Sequence, residues 1–79
     1  MNKWLKAELD YWKSQRSEAL ATLDLYFNNS VGMGEHSGIS KDIHEWTNKL
    51  SKSTENLQNL RTYFLDDGKV KNVKSLLND

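Results

Sequence analysis

The sequence contains neither cysteine nor proline, and its charges cancel. Without cysteine the chain has no disulfide framework and no thiolate ligands, which excludes a disulfide-stapled secreted scaffold and a zinc ribbon. Without proline, nothing interrupts a long helix. The 11 basic and 11 acidic side chains give a net charge of zero, which does not favour a polyanionic partner. The length of 79 residues fits one small domain spanning 1–79.

Signals for export or membrane insertion are also missing. The first ten residues place a charged side chain in every turn, whereas a signal peptide needs an apolar segment of about 7 to 15 residues. No stretch approaches the roughly 18 apolar residues that span a bilayer. We therefore expect an intracellular, soluble protein without membrane contact.

Two segments carry apolar side chains at alternating spacings of three and four residues, which is the pattern of one helix face. The first segment runs from Lys3 to Phe27 with Asn2 as its N-cap, and the second starts at Ser40 as its N-cap. The first stripe is interrupted only by Arg16 and consists of Leu5, Leu9, Trp12, Ala19, Leu23 and Tyr26. The second is interrupted only by Ser53 and consists of Ile43, Trp46, Leu50, Leu57, Leu60 and Phe64.

The remaining segments connect and follow these two helices. Residues 29–38 contain Gly32, Gly34 and Gly38, which predicts a loop. After Gly68 a short apolar stripe predicts a third helix. The sequence therefore predicts an all-α small bundle: an antiparallel helical hairpin (about 3–27 and 40–65) and a short C-terminal helix (about 68–77).

The polar interruptions of the two long helices coincide when the helices are paired antiparallel. Residues 13–18 then lie opposite residues 51–56, so the waist of the hairpin, as we call these two segments, has little apolar surface to bury. Two arrangements stay open. A partner or the third helix covers the waist, or each long helix bends there to give a loose four-helix bundle. We favour a mobile waist.

Chemistry-bearing residues do not form a recognisable catalytic pattern. The acidic residues fall on the polar sides of the helices, and no GxSxG nucleophile elbow is present. His36 and His44 lack metal-ligand spacing, and Gly32-Met33-Gly34 is not a dinucleotide fingerprint because no strand precedes it. We therefore predict a non-enzymatic protein with no catalytic residues, no cofactor and no metal site.

Basic residues toward the C-terminus are the best candidates for a binding site. Lys49 and Lys52 would extend such a site along the second helix. The alternative is that the lysines are solvated surface charges and that the stripe aromatics form the core. The candidate nucleic-acid-binding residues are Arg61, Lys69, Lys71 and Lys74.

The loop and the end of the second helix carry a resemblance. The segment Tyr26–His36, with its Val31-Gly32-Met33-Gly34-Glu35-His36 motif, and the later Asn59–Phe64 resemble small helical proteins of T-even-type phages. These proteins are encoded directly downstream of the UvsW DNA helicase and were once counted as its C-terminal tail. The resemblance implies a small helical bundle in the cytoplasm of an infected bacterium, in DNA recombination and repair. No catalytic residues come with it.

Two functional hypotheses follow. The first is an accessory module in phage DNA recombination and repair that binds DNA weakly through the four basic residues or contacts a DNA-processing protein. The second is a helical protein-interaction adapter or homodimer with no nucleic-acid contact. Its motivation is the polar waist, with Arg16 facing inward, which a second chain would complete.

Overall fold

Two long helices dominate the computed structural model, which describes residues 1–28, 38–66 and 69–70. Helix α1 spans Lys3–Asn28 and helix α2 spans Ile39–Phe64. Two very short strands follow, β1 at Leu65–Asp66 and β2 at Lys69–Val70. The two helices pack against each other along their length as an antiparallel hairpin, which confirms the predicted all-α hairpin.

Helix α1 begins where the sequence predicts. The Asn2 Oδ1 atom accepts hydrogen bonds from the backbone N–H groups of Trp4 (2.8 Å) and Leu5 (3.1 Å). The Asn2 carbonyl accepts a third from the Lys6 N–H at 3.0 Å. These bonds satisfy donors that the first turn of a helix otherwise leaves without partners. Asn2 is therefore the N-cap of α1.

Removing this cap should destabilise the fold measurably. We expect Asn2→Ala to lower the free energy of unfolding by about 1 kcal/mol, because two N–H groups lose their acceptor. Asn2→Asp should retain the stability, since a carboxylate caps equally well and favours the positive end of the helix dipole. Urea unfolding followed by circular dichroism measures both variants, and equal losses in the two would contradict the capping role.

The N-cap of helix α2 lies two residues before Ser40, so the prediction of Ser40 as its N-cap is wrong. The cap is Gly38, with φ −85° and ψ −13° and no side-chain capping bond, and its carbonyl accepts the Asp42 N–H at 3.0 Å. Ser40 lies inside the helix, with its Oγ 3.5 Å from Nε2 of His44. The earlier start half-buries Ile39, which continues the apolar stripe four residues before Ile43.

The core of the hairpin is small and lies along the predicted stripes. Every residue of the α1 stripe, including Arg16, is buried or half-buried. The residues of the α2 stripe are also buried or half-buried, except Phe64 at its end, which is exposed. Trp12, Trp46 and Tyr26 are half-buried, so these aromatics contribute to the core. The buried apolar residues of the described chain are Leu9, Ala19, Leu23 and Leu57.

The waist is closed rather than open. Both helices run through it without a break, so the described residues do not show the predicted bends or confirm a four-helix bundle. Ser53 is buried in the waist, and its hydroxyl donates to the Lys49 carbonyl at 2.7 Å. Ala19, immediately beside the waist, is also buried. Small side chains allow close approach of the helices where large apolar groups are missing.

The chain continues after α2 as a hairpin of strands. Strand β2 pairs antiparallel with β1, with Leu65 opposite Val70 and Asp66 opposite Lys69. The predicted C-terminal helix (68–77) is therefore wrong at residues 69–70, and its other residues lie outside the described part of the chain. Two residues, Asp67-Gly68, separate the paired strands, and Asp-Gly favours two-residue hairpin connections over a helix start.

Candidate functional site

The predicted basic residues are placed only in part. The Arg61 side chain is exposed near the end of α2, and the backbone of Lys69 lies in β2. Lys71 and Lys74 lie outside the described residues. The candidate nucleic-acid site consequently stays a prediction.

Lys49 and Lys52 do not extend this set. Arg61 follows Lys52 by nine residues, which is about two and a half turns of an α-helix. The two side chains consequently leave α2 on opposite sides. The continuous positive stripe suggested by the sequence does not form along α2.

A groove runs between the two helices, and aromatic, amide and charged side chains from both helices line it. At the end of the hairpin away from the loop it is apolar, lined by Trp4, Leu5, Leu60 and Phe64 with Asn2 and Glu8 beside them. Its middle is more polar and lined by Glu8, Trp12, Asn56, Asn59 and Leu60. Farther toward the loop it is lined by Tyr11, Trp12, Gln15, Lys49, Lys52 and Ser53. We call this side of the hairpin the groove face.

Large aromatic side chains flank the groove, and about half or more of the surface of each is exposed to solvent. Trp4 is 75% exposed and Tyr11 52% exposed. Tyr63, at 46%, lies on the same side of α2 because it follows Asn59 by four residues and Asn56 by seven. Clustered exposed aromatics that border a groove are typical of surfaces that bind another macromolecule.

The sequence carries a signal for this surface, beside the stripe that forms the core. Trp4, Tyr11 and Leu25 are spaced by multiples of seven residues, which places them on one side of a helix. All three are exposed in the structure. A second apolar stripe, beside the one that forms the core, therefore marks the groove face on α1.

The two sides of the groove differ in charge. We call them the α1 rim, with Glu8 and Glu18, and the α2 rim, with Lys49 and Lys52. On α1, Glu8 lines the groove, and Glu18 lies on the same side because it follows Tyr11 by seven residues. On α2, Lys49 and Lys52 line it. The Glu8 carboxylate accepts a hydrogen bond from Trp12 Nε1 at 3.0 Å, and the Lys49 Nζ atom lies 4.3 Å from the centre of a Trp46 ring. The α1 rim is acidic and the α2 rim is basic.

The helices are also joined by a hydrogen bond near the loop end of the hairpin. The Tyr26 hydroxyl donates to an Asp42 carboxylate oxygen at 3.2 Å, and both residues are half-buried. Burial raises the pKa of Tyr26 above its ordinary value of 10.0, and the Asp42 carboxylate raises it further. The protonated phenol is therefore the form that donates this hydrogen bond between the helices.

This bond should make stability depend on alkaline pH. Because the pKa of Tyr26 is higher in the folded state, its contribution is fully present below the ordinary value of 10.0 and is lost as the pH rises through the folded-state pKa. We expect Tyr26→Phe to flatten this alkaline loss and to remove the late-titrating tyrosinate from an absorbance titration. An unchanged titration curve apart from its amplitude would contradict the assignment.

Acidic groups outside the groove make local contacts. Lys6 Nζ lies 2.7 Å from Asp10 Oδ2 on the exposed side of α1, and this hydrogen bond lowers the pKa of Asp10. The Asn28 side-chain amide donates a hydrogen bond to Asp24 Oδ1 at 2.7 Å. Within residues 1–28, 38–66 and 69–70, no three His, Asp or Glu side chains come close enough to hold a metal ion. His36 lies outside those ranges, and His44 is exposed.

Two further findings bear on identity. No helix in the described part of the chain combines the length and the apolar character needed to cross a bilayer. No protein-family model, curated protein or solved structure matches the sequence or the fold. The resemblance to the phage proteins therefore stays a prediction.

Proposed function

We propose that the protein is a non-enzymatic helical interaction module whose groove face binds an α-helical segment of a protein. The observation that carries this proposal is the row of exposed aromatics along the groove: Trp4, Tyr11 and Tyr63. Aromatic residues of this kind contribute most of the binding energy at protein interfaces.

The shape of the groove supports a helix as its occupant. Each helix has 26 residues and is therefore about 39 Å long, and the groove runs along much of the hairpin between them. A third helix packs well between two antiparallel helices because its side-chain ridges fit such a groove. The small core of the hairpin gives the added burial a large effect on stability.

The DNA hypothesis is the second proposal. In it, the protein is an accessory module of phage DNA recombination and repair in the bacterial cytoplasm, and it contacts DNA or a DNA-processing protein. The exposed Arg61 side chain favours it, and the lysines beside Tyr11 in the groove form a separate basic site on the other side of α2. The net charge of zero disfavours it, because neutralising phosphates supplies most of the affinity for DNA.

Photocrosslinking in cells that naturally produce the protein separates the two proposals. A photoreactive phenylalanine analogue replaces Tyr11 on the groove face, and a matched control replaces Thr54, which is exposed on another side of α2. We expect discrete, protease-sensitive adducts from position 11 and none from position 54. These adducts would support a protein-binding groove face.

The other outcomes contradict the first proposal. Nuclease-sensitive adducts from position 11 would favour DNA instead. Adducts of equal yield from both positions, or none from position 11, would show that the groove face binds no specific protein. A DNA titration at low salt with Arg61→Ala measures the second proposal directly, and unchanged affinity in that variant would remove Arg61 from it.

A further inference from the structure

We infer that the groove face is occupied by a second copy of this chain, in a two-fold dimer that sets α1 of one copy against α2 of the other. This inference rests on the proposed function and names the helical partner. It places the four helices of a bundle in two chains rather than in one.

Charge complementarity selects this arrangement. The α1 rim presents Glu8 and Glu18, and the α2 rim presents Lys49 and Lys52. A two-fold rotation that sets α1 against the α2 helix of the partner subunit brings each acidic rim to a basic rim, twice. The alternative dimer, with α1 against α1, would place the acidic rims together.

The remaining charges on the groove face do not change this balance. Lys41 and Glu45 extend the α2 rim toward the start of the helix, and their charges cancel because they lie four residues apart. The face as a whole is neutral, like the complete chain. A partner must therefore be basic opposite α1 and acidic opposite α2, which is the pattern that a rotated second copy provides.

The apolar groups of the groove face supply the driving force. Trp4, Tyr11 and Tyr63 lose their exposure when another hairpin covers the groove. This hairpin buries few apolar residues, so additional apolar burial raises its stability by a larger fraction than it would in a larger domain. Helical hairpins that pair in this way form four-helix bundles with a common core.

Two charge-reversal variants test the arrangement. The first is Glu8→Lys with Glu18→Lys, which makes both rims basic. The second is Lys49→Glu with Lys52→Glu, which makes both rims acidic. We expect the unaltered protein to sediment as a dimer in the micromolar to millimolar range. Each variant alone should dimerise about 10- to 100-fold more weakly, because attractive contacts become repulsive at two symmetric sites.

An equimolar mixture of the two variants gives the decisive result. In a mixed dimer each basic rim faces an acidic rim, so the mixture should recover dimerisation although neither variant dimerises well alone. A single chain with all four reversals should also recover it. This recovery would show that both variants fold and that the rims face each other.

The matched control changes the net charge by the same amount elsewhere. Asp24→Lys with Glu55→Lys alters exposed positions away from the groove and should dimerise more strongly than the first variant. A control that weakens dimerisation as much as the first variant, or a mixture of the two reversal variants that stays monomeric, would overturn the arrangement.

The inference and the proposed function can fail separately. A monomeric unaltered protein at millimolar concentration would overturn the dimer. Crosslinked adducts from position 11 that contain a different protein would then still support the interaction module. Adducts of two copies of this chain, which disappear in either reversal variant, support both.

Discussion

Replacing Leu57 by alanine is expected to lower the free energy of unfolding by about 2 to 5 kcal/mol. Leu57 is 1% exposed and is the largest fully buried side chain. Its removal takes away apolar burial and leaves a cavity that two long helices cannot readily close. A domain of this size has only a few kcal/mol of stability, so the variant should be largely unfolded.

Leu20→Ala is the matched control for this prediction. The same chemical change is made at a residue that is 51% exposed on α1. Its cost should stay below about 1 kcal/mol, because much of the side chain is already in water. Urea unfolding at one protein concentration compares the two variants. Similar losses at both positions would mean that Leu57 is not in the core.

The hairpin itself follows from the sequence because its helices carry a long, regular pattern. The stripes from Leu5 to Tyr26 and from Ile43 to Leu60 coincide with the buried and half-buried residues. Periodicity over about five to six turns leaves few alternatives to an amphipathic helix. Even Arg16, the polar interruption, is half-buried as its position in the stripe requires, and its long aliphatic part suits this place.

The waist shows that apolar content alone does not determine how two helices pack. The polar side chains at residues 13–18 and 51–56 predict a waist with little apolar burial, and its mobility stays a prediction. The structure closes this region with side chains that are small, as at Ser53, whose hydroxyl is satisfied within its own helix. Burial depends on how closely two backbones approach as well as on hydrophobicity.

The core stripes do not predict the strand pairing after α2 or the exposed aromatic residues of the groove face. At Lys69–Val70 a pairing between strands replaces the start of a helix, and such pairing depends on the partner strand Leu65–Asp66 as well as on local spacing. On α1, Trp4 and Tyr11 belong to a second stripe, which lies beside the core stripe and stays exposed. The strand pairing depends on a second segment of the chain, whereas the spacing along α1 alone marks these aromatic residues.

Replacing Ala19 by leucine separates the closed waist from an open one. The Ala19 methyl group has no exposure to solvent, so a larger side chain must push the helices apart or leave its preferred rotamer. We expect Ala19→Leu to lower the free energy of unfolding by about 1 to 3 kcal/mol. In an open, underfilled waist the same change would add apolar burial and raise stability.

Ser53→Ala provides the companion measurement, because it keeps the close approach of the helices. The Lys49 carbonyl can still accept the backbone N–H of residue 53, so no buried acceptor is left without a partner. The change should alter stability by less than about 1 kcal/mol, since the lost hydroxyl bond is offset by the higher helix propensity of alanine. Urea unfolding of both variants decides the matter: a more stable Ala19→Leu protein would show that the helices do not touch at this level.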